Sequence, residues 1–269
     1  MNKGQISNLL RVFGLIYFTD RVRYYLERRK NKAENDNFKI NNPNVELPPD
    51  HLIYESFQMS YKKYYTDSIE TAHWLKDHFN KHIELKGIRI LDWGCGPGRI
   101  IRHLPNVIGN DCEYFGTDYN KRSIDWCEKN LHGIDFNLNS LQAKLPYEDN
   151  YFDVIYGISI FTHLSEQLHY DWYKELVRIL KPNGILFITT QGDNFKIKLT
   201  DSELKNYNND KLIVRGRVKE GHRTFSAFHP KGFMKGLFEN EQILEHIVIP
   251  KEQKRNPQQD IWMIRKSSV

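Results

Sequence analysis

Ile90-Leu91-Asp92-Trp93-Gly94-Cys95-Gly96-Pro97-Gly98-Arg99 decides the fold. An apolar run ends in an acid and then in alternating glycines, the order expected of a buried strand that turns at once toward a helix. Glycine carries no Cβ, so such a loop lets the backbone approach a ligand and expose amides at a helix N-terminus. The spacing is GxGxG. A nicotinamide fingerprint needs its third glycine at position 99, which is Arg99. Asp92 closes the strand where it would face the ligand, and a carboxylate is unfavourable beside a pyrophosphate but favourable beside an ammonium or a sulfonium. The stretch therefore predicts a cationic, phosphate-free cofactor.

About twenty residues further on, Asp118 closes a second strand in Phe115-Gly116-Thr117-Asp118-Tyr119, the position from which an acid accepts both hydroxyls of a ribose. Tyr119 is placed to cover an adenine or to pack in the core. Asn139 and Ser140, after the third strand, suit either the adenine amino edge or a plain loop turn. Around these motifs, apolar runs alternate with helical patterns: Ile88 to Leu91, Tyr114 to Thr117, Phe136 to Leu138, Phe152 to Ile158 and Ile185 to Thr190. That alternation predicts an α/β chain with a mostly parallel, doubly wound sheet. The turn Lys181-Pro182-Asn183-Gly184 ends the helix before the fifth strand. Two last runs, Ile243 to Ile249 and Ile261 to Ile264, fit an antiparallel terminal pair at the sheet edge.

Before the sheet, residues 5 to about 32 read as a helix that is apolar early and basic late, and the polar run Asn31 to Asn44 reads as a linker. A boundary near residue 45 follows: 1–45 as a basic helix and linker, 46–269 as the main domain. Within that domain, 46–87 form leading helices and 193–228 an insertion near the site, with a hairpin expected around Leu212 to Val218. The first helix could lie on an anionic membrane surface, dock a partner, or pack on its own domain. With 269 residues, 39% hydrophobic and 27% charged, the chain is globular in composition, and a formal charge of +5 is too mild to point to nucleic acid. Cys95, Cys112 and Cys127 match neither a disulfide framework nor a CxxC metal pair, and no cleavable leader or membrane-length apolar stretch is present in the sequence, so the expected location is cytoplasmic, with peripheral contact at the inner membrane surface as an option.

Residues 88 to 192 resemble the class I S-adenosylmethionine-dependent methyltransferases, especially the type 11 and type 25 methyltransferase domains. The glycine stretch is similar to their motif I, Asp118 to their ribose acid, Leu145-Pro146-Tyr147 through Phe152-Asp153 to a later signature, and Leu180-Lys181-Pro182-Asn183-Gly184 to their LKPGG turn. Trp93 and Asn183 depart from the pattern, and Asn139-Ser140 stand where an acid is common. The resemblance implies a Rossmann-like fold with a seven-stranded sheet and one antiparallel strand, and S-adenosylmethionine as cofactor with S-adenosylhomocysteine as product. It also implies cofactor contacts from Asp92, Gly94, Cys95, Gly96, Gly98, Asp118, Tyr119, Asn139 and Ser140, and from Ile158 and Ser159 on the methionine half. Leu47-Pro48-Pro49 and Phe161-Thr162-His163-Leu164 are similar to bacterial members encoded with cell-surface glycan genes.

Methyl transfer from a sulfonium needs proximity, alignment and a nucleophile able to lose its proton. His163 is the base expected from its position, since imidazole titrates near neutrality, although a histidine there also suits helix packing. His222 and His229 are alternates, each read as a surface histidine. The expected reaction is O-methylation of a small molecule or glycan precursor, the alternatives being N-methylation or a non-catalytic protein that binds the cofactor. Asp149 with Asp153, and Asp193 with Asp201, give no ligand set for a metal, and the expectation is a metal-independent enzyme.

Overall fold

The computed structural model describes residues 9–250 and 257–268. Its seven principal strands run in the order β3-β2-β1-β4-β5-β9-β8, the Rossmann-like arrangement expected. They are β1 (Arg89–Trp93), β2 (Glu113–Asp118), β3 (Asp135–Leu138), β4 (Phe152–Gly157), β5 (Leu180–Thr190), β8 (Gln242–Ile247) and β9 (Asp260–Arg265), and two more strands, β6 (Ile213–Arg215) and β7 (Ser226–Phe228), form a separate ribbon. The chain divides into two compact units, Phe18–Ser140 and Met1–Tyr17 with Leu141–Val269.

In the unit Phe18–Ser140, β1 pairs parallel with β2, bringing Asp92 opposite Gly116, and β2 pairs parallel with β3, bringing Asp118 opposite Leu138. Parallel strands of this kind are buried, and β1 is buried from Ile90 through Trp93, Asp92 included. The helices α1 (Ile16–Lys30), α2 (Lys32–Asn41), α3 (Asp50–Ser56) and α4 (Tyr61–Asn80) lie ahead of β1. In α4, Tyr61, Tyr64, Ser68, Ala72, Leu75 and Phe79 recur at helical spacing and are all buried, one stripe facing the core.

Two expectations fail here. The residues from Asn31 to Asn44 are not a linker: most of them form α2, because Asn35 is a structural residue and not a surface one. Its amide donates to Met59 O at 3.0 Å and accepts from Tyr61 N at 2.9 Å, while Phe38 joins Ile53, Tyr54, Met59, Tyr61 and Tyr64 in one cluster. The first helix is also not continuous from residue 5 to 32. Residues 9–12 are helical, Gly14 turns the chain at φ 68°, and α1 then begins; residues 5–8 lie outside the described residues. After the glycine loop the chain forms only a 3-10 turn (Ile101–His103) and the short α5 (Leu104–Val107). Pro105 lacks the amide that a continuous helix would use there. Farther on, α6 (Lys121–Asn130) connects β2 to β3.

In the other unit β4 pairs parallel with β5, and β9 is antiparallel to both β5 and β8. The terminal antiparallel pair thus forms as expected. α7 (Glu166–Ile179) ends directly before β5, and Lys181–Gly184, expected as a turn ahead of the fifth strand, lies within β5, where the pairing with β4 shifts from Leu180 to Ile185 and Asn183 adopts φ 64°. The insertion carries a 3-10 segment (Asp193–Lys198) and α8 (Asp201–Tyr207), whose start is a capping box of Thr200 and Glu203. Arg215, 7% exposed, grips both oxygens of Glu203 at 2.9 and 2.6 Å. No hairpin closes within Leu212 to Val218. β6 instead pairs with β7, and the connection between them reaches out to the loop after β4. A last helix, α9 (Lys231–Leu237), precedes β8.

Candidate functional site

The glycine loop is tied down by its own amides. Gly94 N and Cys95 N both donate to Thr117 O, at 2.8 and 3.0 Å, and Gly96 N donates to Asp118 Oδ2 at 2.9 Å. The amides expected to be exposed to a ligand are therefore used to join the end of β1 to the end of β2. Gly96 and Gly98 have φ of 54° and 71°, a region that side chains avoid, and a Cβ on Gly98 would stand 2.4 Å from Leu131 Cδ1.

Asp118 is 8% exposed, and its second oxygen accepts from Asn120 N at 2.7 Å. Burial raises the pKa of its carboxyl, and the amides of Asn120 and Gly96 act against that rise. Each oxygen keeps acceptor capacity for a further hydroxyl, as a ribose diol would require. Asp92 is buried as well. Burial first, then a bond to Cys127 and the charges of Asp92 and Asp118, push the Cys95 thiol well up. Asp92 and Asp118 stand at the ends of neighbouring parallel strands on either side of the loop, and carboxylates there would disfavour a phosphate and favour a sulfonium or ammonium. The negative charge, the backbone turn free of Cβ atoms and the diol-accepting acid fit S-adenosylmethionine.

Of the two roles expected for Asn139, the bonds it makes are those of the loop turn. Its Oδ1 accepts from Thr117 Oγ1 at 2.8 Å and its Nδ2 donates to Ser140 O at 2.6 Å, so both ends serve the turn after β3. Tyr119 is half-buried beside Asp118. Sequence reasoning missed two supports of the loop: Tyr64 of α4, whose hydroxyl donates to Pro97 O at 2.6 Å, and Ser56 at the end of α3, whose Cβ lies 3.2 Å from where a Cβ on Gly96 would be. Glu55, next to Ser56, accepts from Asn120 Nδ2 at 3.0 Å. A tyrosine on an amphipathic stripe gives no sign that its hydroxyl faces a loop 33 residues away.

The second cluster lies at the end of β4. Ser159 adopts φ 66°, unusual for a residue with a side chain and typical of functional loops. Its amide donates to Thr189 Oγ1 at 2.8 Å, its hydroxyl lies 2.9 Å from Thr162 Oγ1, and Gln259 Nε2 donates to it at 2.7 Å. Thr189 in turn donates to Gln259 Oε1 at 2.6 Å. Ile158, beside Ser159, is half-buried. Gln259 was not legible as a site residue, because its polar surroundings before β9 look like any loop.

His163 Nδ1 lies 2.9 Å from Phe225 O. A carbonyl only accepts, so Nδ1 carries the proton and the neutral ring keeps its lone pair on Nε2. Burial, with Arg223 and His222 adding to it, lowers the His163 pKa. The insertion holds this segment further: Gly221 N donates to His163 O at 2.9 Å, and Ser165 N donates to Glu220 Oε1. The alternates fare differently. His229 is not a surface residue: it is 2% exposed, and its Nε2 meets His169 Nε2 at 2.9 Å in a pair that burial keeps neutral. It is part of the packing of α7 against the segment after β7. His222 is partly buried, its Nδ1 2.8 Å from Thr224 Oγ1 and its ring edge-on to Tyr17. Asp149 and Asp153 stand in separate ion pairs, with Arg178 and Lys181.

A family model described as a methyltransferase domain matches residues 90–184. The chain is 31% identical over 166 residues to phthiotriol/phenolphthiotriol dimycocerosates methyltransferase 1 of Mycobacterium ulcerans, covering 55% of this chain and 59% of that protein. It is 31% identical over 118 residues to the ubiquinone/menaquinone biosynthesis C-methyltransferase UbiE of Ectopseudomonas mendocina, covering 39% of this chain and 44% of that one. The chain thus spans about half the length of these curated relatives. A crystal structure of a SAM-dependent methyltransferase from Methanosarcina mazei superposes with a TM-score of 0.52 at 17% identity, covering 71% of this chain and 97% of that one, a likeness of fold. Residues 90–184 are thus similar to a methyltransferase domain, and these curated relatives are methyltransferases by name.

Proposed function

We propose that this protein moves a methyl group from S-adenosylmethionine to a hydroxyl oxygen of a small molecule or cell-surface glycan precursor, leaving S-adenosylhomocysteine. The observation that carries the oxygen acceptor is the fixed tautomer of His163, with Nδ1–H on Phe225 O and Nε2 left as a base. When bound, the cofactor supplies a methyl carbon already activated by a positive sulfur. Asp118 would hold the ribose hydroxyls, Asp92 would contribute negative charge, and the turn at Gly96 and Gly98 would leave room for close approach. Ser159, beside Ile158, is fixed by Thr162, Thr189 and Gln259. His163 takes the acceptor proton at Nε2. The expected location is the cytoplasm, and no helix among the described residues is long and apolar enough to cross a membrane.

A second reading, carbon methylation, is favoured by the name of the UbiE relative. The two are separated by offering labelled S-adenosylmethionine with panels of hydroxylated, amino and activated-carbon acceptors to wild type and His163→Gln. Label on oxygen, lost in the variant, supports the proposal. Label on carbon or nitrogen alone, at equal rates in both proteins, refutes it.

A further inference from the structure

We propose that α1 is an interfacial helix that docks this protein onto an anionic lipid bilayer. The helix is mounted with its polar side inward. Tyr54 OH donates to Asp20 Oδ1 at 3.0 Å, Tyr24 packs edge-on against Tyr54, and Glu27 accepts from Asn31 Nδ2. Arg28 fastens the same helix to Asp50 at 2.7 Å. None of its residues is buried.

What faces outward is apolar. Phe18, Val22, Tyr25 and Leu26 fall at i, i+4, i+7 and i+8, a single face, and Phe18 and Leu26 are 66% and 63% exposed. Packing has no use for such a stripe, since an ordinary surface helix turns its apolar face to the core. Cations flank it. At 3.6 residues per turn Arg21 follows one edge, Arg23 and Lys30 follow the other, and Arg29 closes the C-terminal end. Asp20 and Glu27, the two acids of the helix, lie on the opposite side.

The preceding residues repeat the arrangement. Arg11 is buried, its guanidinium donating to the carbonyls of Arg215, Gly216 and Thr224, whereas Phe13 is 67% exposed and Leu9, Val12 and Leu15 are exposed with it. An apolar stripe bordered by arginine and lysine matches the boundary of a bilayer, where the apolar residues enter the acyl region and the cations reach lipid phosphates. The charge complementarity selects anionic lipid: cations near such a surface each add attraction, which neutral lipid does not provide. A second copy of this chain would bring the same arginines together and repel itself.

The test is co-sedimentation of the full chain with vesicles of phosphatidylcholine alone and of phosphatidylcholine with phosphatidylglycerol, at low and high salt. Wild type should pellet with the anionic vesicles only, and less at high salt. Phe18→Ser with Leu26→Ser, both at exposed positions, should weaken binding by about tenfold or more. Arg21→Glu with Arg23→Glu should abolish it, thermal melts establishing that both variants are folded. Failure of wild type to bind anionic vesicles, or equal binding by both variants, overturns the proposal. So does a wild-type dimer in sedimentation equilibrium that becomes a monomer in the Ser variant, because a second copy would then cover the stripe.

Discussion

Gly96 N donates to Asp118 Oδ2 at 2.9 Å, across 22 residues of sequence. The loop that gives a cofactor room and the acid that accepts its ribose are thus one structure. A change in either is transmitted to the other, and the same bond orients the carboxylate before any ligand arrives.

Gly98→Ala should be damaging without touching a ligand. The added methyl would meet Leu131 Cδ1 at 2.4 Å and Cys127 Sγ at 3.3 Å, at a φ of 71°. Overpacking and backbone strain together should cost about 2–4 kcal/mol. Urea unfolding of the variant checks this, and a midpoint equal to that of wild type would contradict it.

His163→Gln should lower kcat by about a hundredfold or more while leaving S-adenosylhomocysteine affinity within a few-fold. In wild type the base must be neutral, and its pKa is lowered from 6.5 by burial. The rate should therefore be flat above pH 6.5 and fall only below it, a limb that the variant lacks. A wild-type limb above pH 7 would contradict the assignment.

Acid should weaken the fold before the carboxylates titrate. The pKa of His169 is lowered to about 4 by burial, with its Nδ1–H donating to Ser165 O and its Nε2 facing His229. A group whose folded pKa is depressed gives stability that is complete above its unfolded value near 6.5 and is lost as pH falls toward 4. Stability should drop by about 2 kcal/mol or more from pH 7.5 to pH 5. Denaturant melts at the two values measure it. In His169→Phe the drop should shrink, and an unchanged drop would point to other groups.

The strands were legible because apolar runs and glycine or proline punctuation are local signals, and the two acids because each closes such a run. The edges of the reading failed where a polar residue is structural. Asn35 looks like linker composition, yet its amide bonds to Met59 and Tyr61 make α2 part of the core. His229 looked like a surface residue because nothing in the sequence announces His169 as its buried partner, 60 residues away. The amides of Gly94 and Cys95, expected to face a ligand, are taken by Thr117 O, a consequence of β1–β2 register that no single stretch reveals.

The most direct test of the central claim is calorimetric titration of S-adenosylhomocysteine into wild type and Asp118→Ala, since it requires no knowledge of the acceptor. Wild type should bind in the micromolar range, and the variant, folded by its thermal melt, should bind at least about tenfold more weakly, having lost charge-assisted hydrogen bonds to the ribose. Absence of binding by folded wild type, or equal binding by the variant, would contradict the cofactor site described here.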